Sequence, residues 1–110
     1  MSRKSRQRVV VMKNKEFFRP QDVTTPKLQW KLIKVLHEGS NDGGGYSIAA
    51  GSWDDQSVIA MRWNPCEGRP LGNPQSRGLP TWFIVPEALN KAIISTLDPS
   101  AKTYAENFLS

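Results

Sequence analysis

The chain has one cysteine, Cys66, and one histidine, His37, among its 110 residues. A single thiol excludes an intramolecular disulfide framework and is consistent with a reducing compartment. One histidine and one cysteine cannot build a zinc site of the usual His/Cys kind, and no paired ligand spacing is present. Long apolar runs are also missing. No stretch approaches the roughly 20 apolar residues of a membrane-spanning helix. The longest near the N-terminus, Val9-Val10-Val11-Met12, is too short for a secretion signal and runs at once into Lys13 and Lys15. These absences predict a cytoplasmic protein without a metal or cofactor, and its length allows a single domain with a real core.

Catalytic signatures are scarce as well. His37, Cys66 and an acid such as Asp54 supply the residue types of a nucleophilic triad, but Cys66 follows Pro65 in a loop and reads more simply as an incidental thiol. The glycines at 43–45 lie in neither GxGxxG nor GxxxxGK[ST], and Asp54-Asp55 reads as a solvated turn rather than a cation site. A non-enzymatic protein is expected.

What the chain does have is unevenly placed charge. The net charge is +5, yet residues 1–27 hold eight bases against two acids and carry +6, which leaves −1 for the rest. Arg3, Lys4, Arg6 and Arg8 head this basic arm, which attracts polyanions through counterion release or simply solubilises the terminus. Thr24-Thr25-Pro26 marks its end, so the expected division is an arm over residues 1–27 and one domain over 28–110.

In the body, Trp30 to His37 fits neither helical nor strand periodicity cleanly. It is read as a strand because it meets the breaker cluster at 39–45. Tyr46 to Trp53 and Ser57 to Asn64, around Asp54-Asp55-Gln56, read as a hairpin. Alternation then sorts Tyr46, Ile48, Ala50 and Ser52 with Ser57, Ile59, Met61 and Trp63 on a core face. Ser47, Ala49, Gly51 and Trp53 fall with Val58, Ala60 and Arg62 on the other, a shallow floor edged by one indole and one guanidinium. Pro65, Pro70, Pro74 and Pro80 predict an unpaired connection carrying Arg69 and Arg77. Thr81 to Val85 reads as the last strand, with Trp82 and Phe83 on opposite faces. Pro86-Glu87 opens a helix striped by Leu89, Ile93 and Leu97 and ended by Asp98-Pro99, with at most a short turn beyond. The expected fold is α+β, a four-stranded antiparallel meander followed by one C-terminal helix.

Four tryptophans exceed what so small a core needs. Exposed indoles beside Arg and Lys provide the stacking and phosphate contacts that single-stranded nucleic acid requires. The predicted contacts are Trp53 for stacking and Arg62, Arg77, Lys31 and Lys34 for phosphates, with Arg3, Lys4, Arg6 and Arg8 adding general attraction. Trp30, Trp63 and Trp82 are read as core or sheet-edge residues. The competing reading is a protein-interaction module, antitoxin-like or a phage or plasmid accessory, that docks its partner on the small-residue face.

The pieces "SWDDQSVIAMRWN" (52–64) and "RGLPTWFIVPEALNKAI" (77–93) resemble the positive-cofactor-four-like family of single-stranded-DNA-binding transcriptional regulators. The likeness covers about residues 30–97. It implies a curved four-stranded sheet, a C-terminal helix, homodimerisation through the helices, and single strands gripped along the exposed sheet face. Trp53 would match the family's turn tryptophan, Arg62 its strand arginine and Arg77 the basic residue before glycine.

Overall fold

The computed structural model describes residues 17–110. Its centre is a four-stranded antiparallel sheet of β1 (Trp30–Glu38), β2 (Tyr46–Trp53), β3 (Gln56–Trp63) and β6 (Phe83–Ile84), ordered β1-β2-β3-β6. Two helices follow, α1 (Asn90–Ile94) and α2 (Pro99–Leu109). The α+β fold read from the sequence is therefore the fold of the protein.

The β2–β3 hairpin has the expected register: Ile48 faces Met61, Ala50 faces Ile59, and Ala49 faces Ala60. Asp54 (φ 49°) and Asp55 (φ 68°) make a two-residue turn with both central residues left-handed, whose twist matches that of the strands it joins. Aspartate tolerates this conformation better than most side chains. β1 is irregular, with register shifts between Leu32 and Lys34 and between Val35 and His37. Those bulges account for the mixed periodicity of its sequence.

Both faces of the sheet are covered. On one, Leu36, Ile48, Ala50 and Ile59 pack with Val85, Ile94, Leu97, Ala101 and Ala105 under the helices. On the other, Ala49 and Ala60 lie beneath Trp30, Trp82 and Val23. The small-residue face expected to stand open is thus the floor of a second core. Gly51 shows why it must be shallow, because a Cβ there would come within 2.2 Å of the Trp30 ring. Trp30 and Trp82 lie 6.1 Å apart, and each indole N–H donates to the Val23 carbonyl, at 3.3 and 2.8 Å. Residues 17–27, assigned to the arm, include this strap: Pro20 and Val23 are buried, a 3-10 turn spans Pro20–Asp22, and Thr25 donates through its hydroxyl to the Pro80 carbonyl. Arg3, Lys4, Arg6 and Arg8 lie outside the described residues.

Three local expectations change. The helix starting at Pro86-Glu87 is a 3-10 turn over Glu87–Leu89 and then the five residues of α1. The longer helix is α2, where at most a short turn was expected. Asp98 caps it by accepting from the Ala101 backbone N–H at 2.8 Å, and Pro99 takes the first-turn position. Finally, the proline-rich connection does form pairs: β4 (Gln75–Ser76) and β5 (Leu79–Pro80) make a small hairpin about Arg77 and Gly78, both at positive φ.

Candidate binding groove

Strand parity and the packing of the 71–81 connection together build an open apolar groove. Tyr46 faces Trp63 across β2 and β3, and Met61 faces Phe83 across β3 and β6, so all four side chains share the helix-side face. Ile94, Leu97, Ala101 and Ala105 pack over Leu36, Ile48, Ala50 and Ile59 on that face, whereas Tyr46, Trp63 and Phe83 stay exposed at one end of it. The result is a groove of about 590 Å³ between the sheet end, Ile93 and Thr96 of the helical side, and Asn73-Pro74. Trp63 is 57% exposed, Phe83 55% and Tyr46 37%.

The groove's rim is held by polar bonds on the far side of β3. Trp63 and Asn73 exchange backbone bonds (N–H to O, 2.7 and 3.2 Å), which fastens the connection beside the indole. Asn64 is buried, accepts from the Ser47 hydroxyl at 2.6 Å, and donates through its amide to the Gly39 and Ser40 carbonyls at 2.8 and 3.1 Å. This network ties the 39–45 loop to the end of β3. Trp63 also lines a smaller recess with Asn64, Cys66, Arg69 and Asn73. One indole therefore borders an apolar groove and a polar hollow that holds an exposed guanidinium.

The sequence-predicted contacts are scattered by this geometry. Arg62 is buried at 3% exposure, and its two terminal nitrogens donate to the Leu71 and Thr81 carbonyls. Burial lowers its pKa from the ordinary arginine value to about 10, so it remains a cation at neutral pH. It cannot meet a phosphate, because its hydrogen bonds staple the connection to the sheet. Trp53 is only partly exposed and packs against the second core beside Trp30, which it faces across β1 and β2. Lys31 and Lys34 are exposed on β1, opposite Ser52 and Ala50, and Lys34 Nζ sits 5.4 Å from the Tyr104 ring centroid. Arg77 is exposed at the tip of the β4–β5 hairpin. None of these residues lines the groove except Arg62, whose guanidinium is already committed.

Sequence reasoning passed over Trp63 and Phe83, although parity had assigned Trp63 to the helix-side face. The missing fact was which part of that face the helical region leaves exposed. His37 stands near as well, its ring 4.9 Å from that of Tyr46. Among the described residues no three His, Cys, Asp or Glu side chains gather as a metal site, and no helix is long and apolar enough to cross a membrane. No family model, curated protein or solved structure matches this chain.

Proposed function

We propose that this protein binds single-stranded nucleic acid, stacking bases on the exposed rings of Trp63, Phe83 and Tyr46. The observation that carries the reading is that these three rings line one groove, with Arg69 beside Trp63 in the adjoining recess. Unpaired bases offer faces to such rings, whereas a duplex hides them. The body, with a net charge of −1, supplies little attraction by itself, so the basic N-terminal residues provide the long-range, salt-sensitive part.

A tryptophan fluorescence titration with a single-stranded oligonucleotide tests this. Trp63→Ala should remove most of the quenching and weaken binding by about 1–3 kcal/mol, the usual worth of one stacked base. Trp53→Phe should change neither. Equal affinity of wild type and Trp63→Ala at several salt concentrations would overturn the reading.

One observation favours a second reading, a protein-interaction module. The groove wall is almost wholly apolar, and its one guanidinium, that of Arg62, is taken up by carbonyls. Neutralising Arg3, Lys4, Arg6 and Arg8 to Gln separates the two. If that variant loses all nucleic-acid affinity while Trp63→Ala keeps it, the groove receives a protein surface instead.

A further inference from the structure

The described chain enters the fold beside the groove. The Phe18 backbone N–H donates to the Pro70 carbonyl at 3.1 Å, and the connection then passes through Leu71 and Gly72 to Asn73 and Pro74 on the groove rim. Sixteen residues precede the described part, and their one apolar run, Val9-Val10-Val11-Met12, stands between Arg8 and Lys13. Met12 lies six residues before Phe18, an extended reach of about 20 Å, which is enough to return along the rim. A tethered segment faces its site at an effective concentration on the order of millimolar, an advantage no separate chain shares.

We propose that Val9–Met12 of the same chain seats in this groove against Trp63 and Phe83. The pairing matches the one short apolar run of a basic stretch to an exposed aromatic groove within its reach. It makes the N-terminus a self-docking segment as well as a source of charge, and any ligand that stacks on Trp63 must displace it.

The test uses the full chain with Val9→Ser, Val10→Ser and Val11→Ser combined, which preserves every charge and touches no residue of either described core. Acrylamide quenching of Trp63, isolated by difference from Trp63→Phe, should rise about two-fold as the groove opens. Unchanged Trp63 quenching overturns the proposal. So does Trp63 shielding in the wild type that disappears on dilution, because the occupant is then a second copy of the chain. A second readout rests on the nucleic-acid reading: if the segment fills the groove nine-tenths of the time, the triple variant binds oligonucleotide about ten-fold more tightly. Increased quenching without tighter binding upholds the docking and counts against the nucleic-acid site, so the two ideas fail separately.

Discussion

Arg62 stands where a strand residue beside a tryptophan invites a phosphate-binding interpretation, and its surroundings give it another task. Two loop carbonyls, from Leu71 and Thr81, converge on its terminal nitrogens, while Nε has no partner. The two spaced nitrogens of a planar fork each meet one carbonyl, a geometry that the compact ammonium of lysine does not reproduce. Gly72 is part of the same fit, because a Cβ there would lie 2.7 Å from an Arg62 terminal nitrogen. Arg62→Lys should therefore destabilise the fold by about 2–3 kcal/mol, the cost of leaving buried acceptors unpaired. Denaturant unfolding measures that cost, and oligonucleotide affinity of the folded variant should stay at the wild-type value. A loss of affinity without a loss of stability would return Arg62 to the binding surface.

Among the elements, the strands were more legible than the helices. Ala49, Ala60 and Gly51 mark one face and Ile48, Ile59 and Met61 the other, and the β2–β3 register follows from that alternation. The helical region was misjudged because its stripe of Leu89, Ile93 and Leu97 spans a 3-10 turn, a short helix and a bend. The Ser95 and Thr96 hydroxyls bond back to the Ala92 and Ile93 carbonyls at 2.6 and 2.7 Å, and such bonds compete with the continuing helix. Asp98 then begins a new element. Asp98→Ala should cost about 1 kcal/mol through loss of the cap, read as a lower thermal midpoint with unchanged strand signals. An unchanged midpoint would mean that packing of Ala101 and Ala105 alone holds α2 in place.

On the scale of the whole molecule, three layers alternate: the helices, the sheet, and the strap of residues 17–27 with the two indoles. The strap shares its key carbonyl, that of Val23, between Trp30 and Trp82, so its removal leaves two buried indole donors unpaired. Deleting residues 1–16 should lower stability by no more than about 1.4 kcal/mol, the contribution of a segment that occupies the groove nine-tenths of the time. Deleting residues 1–27 should lower stability by several kcal/mol, since Val23 is fully buried and each orphaned donor costs about 1–3 kcal/mol. Equal midpoints for the two truncations would show that the strap is dispensable.

The sequence by itself determined the sheet, its hairpin register, the separation of small and large residues onto two faces, and the concentration of charge before residue 28. Those properties are local: alternation, turn chemistry and charge act between near neighbours along the chain. Only the tertiary structure decided that the small-residue face is covered, that Arg62 is a buried clamp, and that Trp63 and Phe83 stand exposed. Each of these depends on where a distant segment comes to rest: the strap on Trp30 and Trp82, the 71–81 connection on Arg62, and the helical segment, whose core contacts do not include Trp63 or Phe83. Contacts between residues far apart in sequence leave no periodicity to read, and the groove exists because of them.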